Sequence, residues 1–250
     1  MIRPWLSVEV PSPEAGEKID MAIFDGISDA IRFVHDDATP DSPPLYQAMI
    51  SMASDQNTMG LIDENQEMPG SLRWSPESFG ALLSAAQPLI DHAVDAGFLY
   101  RSPELRAVEL REFHRPLWEM NYHDDWHLDG SIDGQTDWAG VMVADVIPPV
   151  FAAGSLINGR AAIYKDYITN PRTRDAHFVT FDRMIDEAID NGELSLDPPE
   201  EGLLIGYNIR HTHKVSPGAM RVRWSPERLR RFVRIMDFKQ PITQYPISKY

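Results

Sequence analysis

The run Trp126-His127-Leu128-Asp129-Gly130 places two groups able to bind a metal two positions apart. In extended chain such residues project side by side from one face. A second histidine, His213, lies far downstream in His211-Thr212-His213-Lys214. Two neutral imidazoles and one carboxylate on one face of a divalent iron leave positions open for a substrate and dioxygen. His-x-Asp by itself recurs by chance. Its plainer reading is a strand-end turn, with Asp129 bonding nearby backbone before Gly130.

The surroundings of His213 add weight. It follows an apolar strand of Leu203, Leu204, Ile205 and Tyr207 and precedes Val215-Ser216-Pro217, where a strand must end. His211 is the rival ligand, because it lies two residues earlier and can share the same face. A third element is Leu229-Arg230-Arg231-Phe232-Val233-Arg234-Ile235. Core-facing strands seldom begin with several arginines unless a partner meets the charge. A planar guanidinium can hold a carboxylate by two parallel hydrogen bonds. The alternative for these arginines is a solvated edge strand blunted by charge.

The elements that must position these residues fall into two parts. Ile23, Ile27, Ile31 and Val34 recur at helical steps within 21–35. Pro43-Pro44 before Leu45 to Met52 predicts a second helix, and Ser75-Pro76-Glu77 opens a third that stops near Gly97. After Tyr100 the period changes. Strands are expected over 107–113, 117–122, 138–147, 161–164, 202–209 and 231–238, with one inserted helix over 180–191. No internal repeat is visible. The expectation is an α+β fold, a helical layer packed against a β-sandwich or jelly roll. It reads as one domain: 1–100 mainly helical support, 101–240 the jelly-roll core and 241–250 a tail.

Composition narrows the chemistry. The 250 residues are 43% hydrophobic and 24% charged, enough to build a substantial core. A formal net charge of -15 opposes long-range attraction to nucleic acid. With no cysteine, disulfides, zinc-thiolate sites and thiol catalysis are excluded. No stretch reaches transmembrane length, and no basic segment followed by an apolar one opens the sequence, so the expectation is a cytoplasmic protein without a membrane partner.

Taken together, His127-Leu128-Asp129-Gly130, His213 in His-Lys-Val-Ser-Pro, and Arg231 opening Arg-Phe-Val-Arg-Ile-Met-Asp-Phe resemble the iron(II)/2-oxoglutarate-dependent dioxygenases. The resemblance spans roughly residues 105–240, by the strand pattern, and is closest to small-molecule and free-amino-acid hydroxylases. It implies a double-stranded β-helix, cupin-like, with Fe(II) held by His127, Asp129 and His213. It also implies Arg231 on the distal carboxylate of 2-oxoglutarate, with Arg230, Arg234, Arg221 and Arg223 as rivals. The implied reaction consumes 2-oxoglutarate and O2 and hydroxylates an unactivated carbon of a small polar substrate, such as an amino acid. Asp129 argues against a halogenase, since chlorinating relatives lack that carboxylate.

Other residues have both a functional and a plain reading. Asn121 and Tyr122, on the approach to His127, can hydrogen-bond the cosubstrate or simply pack. Arg160, Lys165, Arg172 and Arg174 form either a solvated basic face or a lid for a carboxylate-bearing substrate. Asp124 and Asp125 suit a turn, or the orientation of a ligand imidazole, while Trp126 should pack in the opposite layer. His114, His123 and His177 read as structural or exposed. Two other functions remain open: a cupin-type isomerase, lyase or keto-acid-independent dioxygenase using His211 with His213, and a non-catalytic β-sandwich module.

Overall fold

Helices form on both outer sides of two antiparallel sheets, and the site lies where the sheets face each other. The computed structural model describes residues 6–38, 47–53, 57–62, 76–103, 105–113, 125–129, 138–169, 174–215 and 230–239. In chain order these contain β1 (Ser7–Val10), β2 (Glu14–Lys18), α1 (Met21–Ala38), β3 (Gln47–Ala53), β4 (Asn57–Ile62) and α2 (Pro76–Asp95). There follow β5 (Leu105–Phe113), β6 (Trp138–Ala144), β7 (Val150–Ile157), α3 (Asn158–Thr169) and α4 (Arg174–Asp190). The last elements are β8 (Leu194–Asp197), β9 (Leu203–Tyr207), β10 (Thr212–Lys214) and β11 (Arg230–Phe238). This is a mixed α+β architecture.

The larger sheet has the order β2-β9-β6-β11-β5-β3-β4, and the smaller the order β1-β7-β10 with β8 also on β7. Every pairing is antiparallel. Among the described residues neither sheet closes into a barrel.

Three buried clusters define the layers. On the outer face of the large sheet, Phe24, Ile27, Leu82, Ala86 and Leu89 from α1 and α2 meet Val108, Val141, Val143, Val233 and Ile235. Between the sheets, Trp138, Met142, Ile205, Tyr207, Phe232 and Met236 meet Phe151 of β7. Outside the small sheet, Ala152 and Leu156 meet Tyr164 of α3 and Phe181 and Ile185 of α4. Strands β6 and β11 are therefore apolar on both faces, which explains their near-continuous hydrophobic runs.

Local chemistry sets the helix ends. Asp20 caps α1 by accepting from the Ala22 N–H at 2.9 Å. After α2, Gly97 takes φ 81° and Phe98 N–H donates to the Ala93 carbonyl at 2.9 Å, the left-handed stop that glycine allows without strain.

Two expected elements are of the other type. Residues 45–52 were expected as a helix, but Gln47–Ala53 is strand β3, paired with both β4 and β5. A run this short carries no decisive period, and sheet pairing satisfies its backbone on both sides. Among the described residues of the first hundred there are four strands beside two helices. Residues 161–164 were expected as a strand, but they lie in helix α3. There Ala161, Tyr164 and Tyr167, three residues apart, bury one helical face. The expected strand 117–122 and tail 241–250 lie outside the described residues.

Candidate metal centre

His127 sits on a short extended segment held to β10 by reciprocal backbone hydrogen bonds. His127 N–H donates to the His213 carbonyl and His213 N–H to the His127 carbonyl, each at 3.0 Å. Side chains alternate along this segment. Trp126 and Leu128 enter the cluster with α3 and α4, whereas His127 and Asp129 turn toward His213 between the sheets. Trp126 thus packs in the opposite layer, as expected. Helix α4 fixes it twice: Asp182 accepts from its backbone N–H at 2.8 Å, and Asp186 from its indole N–H at 2.7 Å. Lys214 lies 4.4 Å from the centre of the same ring and 3.3 Å from Asp186.

One possible ligand atom each from His127, Asp129 and His213 lies within 4.8 Å of the others. His127 Nδ1 is 3.0 Å from the Asp125 carbonyl oxygen, and His213 Nδ1 is 3.1 Å from the His211 carbonyl oxygen. A carbonyl can only accept, so each ring carries a proton on Nδ1 and turns Nε2 toward the cluster. The His213 Nε2 lone pair then faces Asp129 Oδ1 at 3.8 Å. Burial first, then the neighbouring His127, pushes the His213 imidazole down to about 4, although Asp129 pulls the other way. At neutral pH no proton lies between these two acceptors.

Asp129 is itself held in place. Tyr207 donates to Oδ2 at 2.8 Å, and Arg234 Nη1 donates to Oδ1 at 2.7 Å. Burial opposes its charge, but Arg234, the two histidines and the Tyr207 hydroxyl more than compensate. The carboxyl is thereby held well below the usual range and is ionised at neutral pH.

This donor set fits a divalent transition metal: two imidazole nitrogens and one ionised carboxylate, with each Nδ1 proton held by a backbone acceptor. Metal–ligand bonds of about 2.1 Å put adjacent donors about 3 Å apart, so a small inward movement of these side chains would suffice. His211, the rival ligand, is engaged elsewhere. Its Nδ1 lies 2.9 Å from the Asn208 backbone N–H and its Nε2 lies 3.2 Å from the Ser12 carbonyl.

The arginines separate by strand face. Arg231 shares a face of β11 with Val233 and Ile235, under the helices. It donates to Asp145 through Nε at 2.7 Å and to Asp25 through Nη1, with its guanidinium 5.5 Å from the Phe24 ring centre. Those contacts correct its placement beside the histidines, because alternation turns it away from them. Arg234, one of the rivals, shares the inter-sheet face with Phe232 and Met236 and is the arginine that reaches Asp129. Asn121, Tyr122, Arg221 and Arg223 lie outside the described residues.

Of the basic residues expected as a lid or solvated face, the structure describes the side chains of Arg160 and Lys165. Arg160 pairs with Glu193 and lies 3.8 Å from Glu187, and Lys165 is exposed on α3. Both belong to the outer helical layer. Tyr207, Asp182 and Asp186 were not anticipated as site residues. Only Tyr207 carried a signal, as a hydroxyl in an otherwise aliphatic strand that needs a partner when buried.

No protein-family model matches the chain, and no curated protein matches it in sequence. Three crystal structures show a distant similarity. AviO1 from Streptomyces viridochromogenes Tue57 is 15% identical, with 94% of this chain and 93% of that chain covered and a TM-score of 0.41. IDO from Bacillus thuringiensis is 11% identical, with 94% and 91% covered and a TM-score of 0.31. A bsmA homolog from Methylobium petroleophilum PM1 is 12% identical, with 90% and 88% covered and a TM-score of 0.29. These likenesses are too distant to speak to chemistry. No described helix is long and apolar enough to cross a membrane.

Proposed function

We propose that this chain is an Fe(II)/2-oxoglutarate-dependent oxygenase that hydroxylates a small polar molecule, such as an amino acid or derivative, on a jelly-roll core. His127, Asp129 and His213 hold the metal in this reading. One observation carries it. The bare His213 Nε2 and the ionised Asp129 Oδ1 face each other at 3.8 Å, an arrangement that a shared cation stabilises and that is repulsive without one.

When bound, the iron supplies a centre that chelates the keto acid and activates dioxygen, with 2-oxoglutarate and O2 going to succinate and CO2 as the substrate gains a hydroxyl. The chain's own residues do the rest. Asp125 and His211 backbone carbonyls keep the Nδ1 protons in place, and Tyr207 turns Asp129 so that Oδ1 faces the imidazole nitrogens. Arg234 replaces Arg231 as the guanidinium placed to grip the distal carboxylate of 2-oxoglutarate, because it lies on the same face as the donors. Phe151, Met142, Phe232 and Met236 make the inter-sheet space apolar, which excludes water from the reacting carbon.

The test is succinate production from 2-oxoglutarate by Fe(II)-reconstituted protein, with and without oxygen, across a panel of free amino acids. Oxygen-dependent succinate that rises with one substrate is the expected result. Absence of oxygen-dependent succinate throughout, from protein that binds stoichiometric Fe(II), rejects the assignment.

A further inference from the structure

We propose that Asp186 of α4 is a positioning residue for the metal centre. With Trp126 and Lys214 it forms a clamp on the reverse side of the His127–His213 bridge and sets the spacing of the two imidazoles. This rests on the metal-site reading above and adds to it a residue outside the donor set.

The two histidines face each other across an antiparallel bridge two hydrogen bonds long. One position along, antiparallel register puts Trp126 opposite Lys214, and alternation turns both to the reverse face. There they meet. Lys214 Nζ lies 4.4 Å from the centre of the Trp126 ring, a cation–π contact. A single oxygen joins the pair to α4: Asp186 Oδ1 accepts from the Trp126 indole N–H at 2.7 Å and from Lys214 Nζ at 3.3 Å. The helix that carries it is packed outside the small sheet by the fully buried Phe181 and Ile185.

A two-stranded contact this short has little rigidity of its own. Sliding or splaying the two segments changes the separation of the imidazoles, and either movement must break a contact to Asp186. The ion pair itself is open to water, with the Lys214 side chain 23% and the Asp186 side chain 53% exposed. Such a pair contributes little to global stability. Its effect therefore belongs to the geometry of the donors rather than to the unfolding midpoint.

Lys214 makes the clamp testable by sign. By charge alone, an ammonium beside a ligand strand repels a divalent cation, so removing it should tighten metal binding. If the clamp sets the donors, removing it loosens them and weakens binding.

Titration of metal-free protein with Co(II), followed by its d–d absorption, decides between the two. Lys214→Met keeps a flexible chain over the indole and loses the charge. It should bind Co(II) about tenfold more weakly than wild type, with shifted d–d bands and an unfolding midpoint near that of wild type. Asp186→Ala should weaken Co(II) binding similarly, and Asp186→Asn, which keeps the acceptor oxygen without the charge, should recover most of the loss. Equal or tighter binding in Lys214→Met overturns the clamp. So does an Asp186→Asn protein no better than Asp186→Ala, because long-range charge then accounts for both. Should Asp186→Ala not fold, with its indole donor stranded, the sign in Lys214→Met decides alone. Wild-type protein that takes up no Co(II) overturns the metal site itself, and the clamp with it.

Discussion

Trp126 is tied to helix α4 at both ends of its residue, its backbone N–H to Asp182 at 2.8 Å and its indole N–H to Asp186 at 2.7 Å. The next residue is His127, whose only regular pairing among the described residues is the isolated bridge to His213. The helix therefore anchors a candidate ligand segment that belongs to neither named sheet. Asp182→Ala removes the acceptor of a buried N–H and should cost about 1–2 kcal/mol in denaturant unfolding. It should also weaken Mn(II) binding, whereas Asp182→Asn, which keeps an acceptor oxygen, should restore much of that affinity. Loss of stability with Mn(II) affinity unchanged would make the anchor purely structural.

The two histidines of the His-x-His pair should behave differently. His213→Ala should abolish stoichiometric divalent-metal binding. His211→Ala should leave metal stoichiometry intact and lower stability, because it frees Asn208 and the Ser12 carbonyl. Metal content measured after gel filtration checks both. Loss of metal in both variants would favour a site built on His211 and His213 together.

Stability of the metal-free chain should fall with acid, and the sign follows from His213. Its folded value is pushed down to about 4 from an ordinary 6.5. Between those values the unfolded chain takes a proton that the folded chain refuses, so stability is complete above 6.5 and is lost as pH drops. The slope from this residue approaches at most about 1.4 kcal/mol per pH unit. Asp129, also lowered, adds a further loss below its ordinary 3.8. Thermal midpoints between pH 7.5 and 5 should decline, and His213→Gln should flatten the decline. An identical slope in the variant would contradict the buried neutral imidazole.

Away from the site, the pairing of β5 with β11 contains a buried two-point ion pair. Arg106 donates through Nε and Nη2 to the two oxygens of Asp237, each at 2.7 Å, and the Tyr100 N–H donates to the same carboxylate at 2.9 Å. Asp237→Ala strands a buried guanidinium and should cost about 3–5 kcal/mol. Replacing both partners with apolar residues should cost much less. Urea unfolding of the single and double variants measures the difference.

The juxtaposition of His127 and Asp129 was legible in the sequence because strand alternation is a local rule: the two share a face whatever surrounds them. The choice among arginines was not. Residues 232, 233, 235 and 236 are all apolar and all buried, so periodicity along β11 gives no sign of which face meets the histidines. Arg231 is turned to the helical side with Asp145 and Asp25, residues distant in sequence. Element type failed where runs were short. At β3 pairing with β4 and β5 decided in favour of strand. At α3 a four-residue apolar window hid a helix whose buried face continues to Tyr167. Asp182 and Asp186, one helical turn apart, gave no sequence signal because the residue they bind lies on another element.

The most direct measurement of the central assignment is an anaerobic titration of the protein with Fe(II) and 2-oxoglutarate, followed by visible absorbance. One equivalent of Fe(II) per chain and a weak charge-transfer band, present in wild type and absent in His213→Ala, are expected from a His127, Asp129 and His213 centre that chelates a keto acid. No band in wild-type protein, with Fe(II) remaining free in solution, would contradict it.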